Sequence, residues 1–318
     1  MSLIYNSGGR NVILDVSKFY LICLVVLGHV LLESEYYYSN RFIRATISWI
    51  WTFHMPAFIF ISGYLTNLNK SFKETLKSII GIFSSYLVMQ TIMSILYGFT
   101  LFDFILIPQY GIWYLWALPI WRLITFLCYR NEKVGLALFG VSIICAVLSG
   151  YVPIDSICSV QRILSFYPLF LLGIIFQNKN WISKIRNKYR ILCLIFLVVI
   201  FLIFFGGNRM ILTGACNSQY KDISQMLFRS GSLLLGFFMS IAFICSVPVF
   251  ETAAKYGKRS LFIYCYHVFF IVNLIPNIWI KFNIVSETYF YIYSFLIIIF
   301  LCLLSNIKIL NKLISPLR

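Results

Sequence analysis

Charge is what this sequence lacks. Asp, Glu, Lys and Arg together supply 11% of its 318 residues, where a soluble domain carries about 25%. With 61% apolar residues and a mean hydropathy of +0.88, a soluble globular fold is excluded, and so is a disordered chain. Acidic residues are the scarcer sign, 10 against 26 basic ones. No two of the nine cysteines form a Cys-x-x-Cys pair. Most lie in apolar runs, where Cys behaves as a small apolar residue. Cys158 and Cys216 lie in loops, and a disulfide between them is left open. Alternation of apolar and polar residues is also missing, which excludes a membrane β-barrel. No interior stretch reads as a soluble domain, a repeat array or a low-complexity linker, so residues 1–318 read as a single integral-membrane domain.

What the sequence has is long apolar runs. A helix needs about 20 apolar residues to cross a hydrocarbon core of about 30 Å. Ten runs approach that length, at roughly 12–32, 45–66, 78–99, 112–129, 134–150, 160–177, 191–206, 229–250, 260–280 and 288–305. The expected fold is therefore all-α, a polytopic bundle of about ten transmembrane helices. The first run is not a cleavable signal peptide: it is too long, it holds Asp15 and Lys18, and no small-residue cleavage site follows it.

Lys and Arg orient the bundle. With the N-terminus inside, the inner segments carry a net +14, the outer ones −1 and the spans +3. Both termini are expected in the cytoplasm, and a bacterial cytoplasmic membrane is the expected location. The +16 net charge then reflects topology and attraction to anionic lipid headgroups rather than nucleic acid. Some inner cations are also candidates for a phosphate-bearing cytosolic substrate. A homo-oligomer is compatible with the sequence.

Ionisable groups inside spans are costly, and they persist when paired, facing a cavity or doing chemistry. All three histidines, His29, His54 and His267, lie inside expected spans. Lys18 and His29 are 11 residues apart, close to three helical turns, so they share a face with about 16 Å of rise between them. Asp15 is within ion-pair reach of Lys18, and Glu33, four residues beyond His29, is placed to orient its ring. This stripe reads either as a structural polar face or as a site with His29 as general base. In the second run, Pro56 removes a helix hydrogen bond two residues after His54, and Ser62-Gly63 allows close helix approach. His267, beside Tyr264, reads as a satisfied buried histidine, and Arg122 as a packing or paired residue. The Tyr36-Tyr37-Tyr38 cluster reads as an interfacial aromatic belt, and Trp113 and Trp116 are ambiguous. No metal is expected, because the three histidines form no local ligand motif.

Five segments together are similar to the acyltransferase-3 family of integral-membrane acyltransferases. They are Lys18-x10-His29, the Phe53-His54-Met55-Pro56 to Ile61-Ser62-Gly63 stretch, Trp113-Tyr114-Leu115-Trp116-Ala117-Leu118, Arg162 followed by Pro168 to Gly173, and Gly257-Lys258-Arg259-Ser260-Leu261 to His267. The chain most resembles the fucose 4-O-acetylase-like and capsular polysaccharide O-acetyltransferase branch. The resemblance implies transfer of an acyl group, usually acetyl from acetyl-CoA, to a sugar hydroxyl of an envelope or capsular polysaccharide or its precursor. It departs from the family in carrying Lys18 where Arg is commoner, so a bidentate contact there is lost. The chain also ends at Arg318 without the hydrolase-like domain some members carry, so a two-enzyme relay is not expected.

A sugar hydroxyl needs a base as it attacks a thioester. His29 is the candidate, with Glu33 as its orienting partner. Lys18, Arg162 or His54 are the candidates for stabilising the oxyanion. Lys255, Lys258 and Arg259, with Arg162, are the expected contacts to the acyl-CoA donor, which would reach up a channel toward His29 while the carbohydrate acceptor enters from outside. The rival function is a transporter or flippase of a lipid-linked sugar.

Overall fold

The structure, a computed structural model, describes residues 11–34, 39–153, 157–179, 181–207, 219–271 and 287–317. The Tyr36-Tyr37-Tyr38 cluster and Cys216, with the pairing left open for it, lie outside the described residues. The described residues form helices and no strand. In order these are α1 (Val12–Leu32), α2 (Arg41–Tyr64), α3 (Phe72–Tyr97), α4 (Leu101–Leu106), α5 (Trp113–Cys128), α6 (Glu132–Leu148), α7 (Val160–Lys179), α8 (Trp181–Gly206), α9 (Ile223–Ser246), α10 (Glu251–Gly257), α11 (Ser260–Phe269), α12 (Thr288–Leu304) and α13 (Lys308–Ile314).

Helix ends follow local chemistry. The Asn11 side chain accepts from the Leu14 amide and starts α1. Ser71 and Glu74 form a reciprocal capping box at the start of α3, and Thr100 with Asp103 repeats it at α4. Gly98 ends α3 in the left-handed region, with φ of 66°.

Among the described residues, seven helices are long and apolar enough to cross a bilayer, or eight if α12 and the short α13 form one bent span. Each of the ten apolar runs contains a helix; α5 has 16 residues, and the run at 260–280 is described only as far as 271. Of the seven candidate spans, α8 holds the most apolar stretch and is the least buried, presenting Ile191, Leu192, Ile195, Val198 and Leu202 outward. A surface of that kind is stable only against hydrocarbon. The protein is a multi-pass membrane helix bundle.

The helices gather into two compact units. One comprises Met1–Phe58, Trp181–Leu212 and Leu235–Lys308, and the other Ile59–Asn180, Thr213–Leu234 and Ile309–Arg318. In the first, α1 packs along α10, α11 and α12. Pro56 has no amide hydrogen, so the Thr52 carbonyl loses its intrahelical donor. Gly236 of α9 lies directly against that carbonyl, and Ser240 one turn on donates to the Phe53 and Gly236 carbonyls at 3.3 and 2.6 Å. Protein therefore covers the break, as the interior of a membrane demands. An apolar cleft of about 630 Å³ opens beside α8, walled by Leu24, Leu27, Trp49, Ile50, Leu197 and Phe201.

In the second unit, α3 packs on α5, and α7 on α5 and α6. The end of α2 crosses α7 at two glycines: a Cβ on Gly63 would strike the Phe170 carbonyl, and one on Gly173 the Phe60 carbonyl. The Trp121 and Trp116 indoles donate to the Ile163 and Cys158 carbonyls, both at 2.9 Å. The Trp116 N–H thus serves packing.

Candidate active site

The first unit brings all three histidines to one place. His29, near the end of α1, stands 5.3 Å ring to ring from His267 of α11 and 5.2 Å from Trp51 of α2. Trp51 also faces His54, one turn on, at 5.4 Å. His267 and His54 are buried, 0% and 2% exposed, while His29 is only partly buried.

Their tautomers follow from their partners. His29 Nδ1 lies 2.8 Å from the Val25 carbonyl, His54 Nδ1 2.9 Å from the Ile50 carbonyl, and His267 Nδ1 2.6 Å from the Tyr264 carbonyl. A carbonyl only accepts, so each Nδ1 carries the proton and each Nε2 presents a lone pair. His267 Nε2 is fully buried with no hydrogen-bond partner. The reading of His267 as a satisfied core histidine is corrected here: half of its ring is an unused acceptor. The helical backbone thus fixes three neighbouring imidazoles in one tautomer.

Glu33 does not complete this cluster. It caps α1, its amide donates to the His29 carbonyl, and its side chain is exposed. The main chain at Val25 holds the His29 ring in the role expected of that carboxylate.

Lys18 lies about 16 Å of helical rise from His29. Its ammonium is 2.7 Å from the Asp15 carboxylate, with side chains 15% and 3% exposed. Gly257 packs on the Asp15 main chain so closely that a Cβ would strike the Asp15 carbonyl. This contact brings the α10–α11 corner, with exposed Lys255 and Lys258 and half-buried Arg259, to the end of α1 that carries Lys18. Arg259 donates to the Asn306 side chain, and Lys255 sits 5.5 Å over the Tyr256 ring. Lys18→Met removes the ion-pair partner of a buried carboxylate, an expected loss of about 3–5 kcal/mol. Thermal unfolding in detergent checks it. Adding Asp15→Asn to Lys18→Met should restore most of the loss.

Arg162 belongs to the second unit, where its guanidinium lies 5.1 Å over the Trp113 ring, which stacks on Phe166 at 5.5 Å. Ser62 and the Tyr114 hydroxyl meet at 2.5 Å in the same unit. The order of segments in the sequence therefore has a spatial counterpart in each unit. His29, His54 and His267 meet in one; Ser62-Gly63, Trp113 and Arg162 with Gly173 gather in the other.

His267 is the residue the sequence reading left out of the site. The signal was available: every histidine of the chain falls in an apolar run, and His267 closes the last of the five segments.

The family described as Acyltransferase domain matches residues 11–307. The nodulation protein NolL of Mesorhizobium japonicum is 24% identical over 225 residues, covering 64% of this chain and 58% of its own length. The chain thus spans a little over half of that relative. No solved structure gives a significant match.

Proposed function

The chain belongs to the acyltransferase-3 family and is a membrane acyltransferase, and on that premise we propose that it moves an acetyl group from acetyl-CoA to a sugar hydroxyl of an envelope polysaccharide or its precursor. The observation that carries the reading is the convergence of three imidazoles with their Nε2 lone pairs unspent by the protein backbone. A neutral imidazole held in one tautomer is the group that general-base chemistry at neutral pH requires.

His29 is the base, because its ring is the one of the three that is only partly buried. Its Nε2 takes the hydroxyl proton as the sugar oxygen bonds to the thioester carbon. The tetrahedral oxyanion then collapses, the carbon–sulfur bond breaks, and the coenzyme A thiolate takes the proton back from the His29 imidazolium. An ester and free thiol result, and the base is restored. His54, with its Nδ1 proton committed to Ile50, stabilises the oxyanion only as an imidazolium; His267 has the same restriction. Lys18 is left to the Asp15 ion pair, at the far end of α1. In the orientation the charges favour, the donor enters at that basic end, beside Lys255, Lys258 and Arg259, and its thioester reaches toward His29.

The test is transfer of radiolabelled acetyl from acetyl-CoA to a capsular glycan by the purified protein in proteoliposomes. Label in alkali-labile ester on the glycan is the expected result. Glycan movement across the bilayer with no label in ester would replace this reading with the transporter one.

A further inference from the structure

The apolar cleft beside α8 belongs wholly to the first unit, and the chemistry above does not use it. Its volume is about 630 Å³. It runs from Tyr20 to Leu27 along α1 and from Leu194 to Phe201 along α8, about 10 Å of helical rise on each. Among the described residues no charged side chain lines it. The Thr46 and Ser246 hydroxyls on its wall donate to the Phe42 and Phe243 carbonyls of their own helices, at 2.8 and 3.1 Å. On the α8 side, Leu194 and Val198 line the cleft and are exposed. An apolar opening onto hydrocarbon stays dry and takes an apolar chain.

The charges at its ends select the lipid. The backbone of α8 leaves helical geometry at Tyr189. Lys184, Arg186 and Lys188 precede that kink and Arg190 follows it, and residues 178–206 contain no Asp or Glu. Arg186 and Arg190 donate to the Cys245 and Ser246 carbonyls at 3.0 and 3.4 Å, and Ser246 is itself on the cleft wall. Arg190 stands one turn before Leu194, about 6 Å of rise. Among the described residues neither arginine pairs with a carboxylate. Exposed Trp181 and Tyr189 flank these cations, as aromatic side chains do at the level of lipid headgroups. The single carboxylate near this end is Glu251, three residues after the lining residue Pro248. The opposite end has fewer cations. There α2 begins with Arg41 and Arg44, the Arg41 guanidinium already caps the Phe205 and Gly206 carbonyls, and Glu287 lies one turn before the lining residue Tyr291. An anionic headgroup is therefore favoured at the Arg190 end.

We propose that this cleft is a binding site for one anionic glycerophospholipid, with an acyl chain lying between α1 and α8 and the headgroup phosphate on Lys188 and Arg190. The site stands whether or not the reaction proposed above is the right one. It touches the candidate active site through Ile50, which lines the cleft and whose carbonyl holds His54 Nδ1.

The experiment is native mass spectrometry of the full chain released from nanodiscs of phosphatidylcholine and phosphatidylglycerol in equal amounts. Wild-type protein is expected to keep one phosphatidylglycerol, at least about tenfold over phosphatidylcholine, and Lys188→Gln and Arg190→Gln each lower that ratio about fivefold, the usual worth of one cation at a membrane surface. Val198→Trp fills the mouth of the cleft and lowers retention of both lipids. Lys188 and Val198 are exposed, so neither change disturbs a buried contact. Lys133→Gln, at an exposed cation of the second unit, leaves the ratio unchanged. Equal retention of the two lipids would overturn the proposal, as would a ratio that survives both α8 glutamine variants or that Lys133→Gln lowers as much. Retention untouched by Val198→Trp would also overturn it. Displacement of phosphatidylglycerol by one equivalent of a polyprenyl phosphate, or release of a lipid-free dimer, would give the cleft to another occupant and overturn it too.

Discussion

Replacing His29 with Ala is expected to lower acetyl transfer by about 10²–10⁴-fold, the usual share of a positioned general base. Protein abundance in the membrane should not change, because the ring is only partly buried and its one backbone bond, to Val25, lies within its own helix. His54→Ala and His267→Ala are different experiments. Both rings are almost wholly enclosed, so truncation opens a cavity as well as removing a nitrogen, and stability falls together with activity. Rates of purified variants normalised to folded protein separate the cases. His29→Ala should lose rate alone, and the other two should lose rate and melting temperature together.

The second large effect concerns assembly rather than chemistry. Gly173→Val is expected to remove most folded protein from the membrane. Any Cβ at Gly173 meets the Phe60 carbonyl and, at 2.6 Å, the Tyr64 amide nitrogen. Both obstacles are backbone atoms, which cannot turn aside as a side-chain tip can. Overpacking against movable side chains costs about 1–3 kcal/mol, and this crossing should exceed that range. Small residues of this kind let membrane helices approach closely enough to gain dispersion contacts. Gly140→Val on α6 is the matched control, since nothing lies within 4 Å of a Cβ there. Fluorescence-detected size exclusion should show a normal monodisperse peak for Gly140→Val and none for Gly173→Val.

Much of the fold was legible because lipid imposes a simple rule on sequence: a helix that crosses it must be apolar for its whole length. The run read at 12–32 coincides with α1. Hydropathy reports contact with hydrocarbon, not helix length: α8 begins at Trp181, ten residues before the apolar run at 191, and its backbone leaves helical geometry at Tyr189 (φ −126°, ψ 19°), so the apolar part starts just past a kink. Its first turns carry Lys184, Arg186, Lys188 and Arg190 and are helical without being apolar. Two of those cations also have packing partners that the sequence does not reveal: Arg186 and Arg190 donate to the Cys245 and Ser246 carbonyls at the end of α9.

The candidate site was legible in part. Helical periodicity put Lys18 and His29 on one face and Asp15 beside Lys18, and the ion pair is present. Periodicity within one helix cannot say what other helices bring. The meeting of His29 with His267, more than 230 positions away in sequence, is tertiary. So is the contact of Gly257 with Asp15 that sets Lys255, Lys258 and Arg259 at the Lys18 end. Glu33 shows the opposite failure. Its spacing from His29 is right for a helical pair, but the helix stops at Leu32, and the carboxylate turns out to solvent as a cap.

The most direct test of the account is chemical rescue. Purified His29→Gly protein in proteoliposomes is supplied with labelled acetyl-CoA, the glycan acceptor and increasing concentrations of imidazole. If the His29 Nε2 lone pair is the base, free imidazole restores ester formation in a saturable manner and leaves wild-type protein unaffected. Wild-type rates in His29→Gly without imidazole would contradict the account and move the chemistry away from the end of α1.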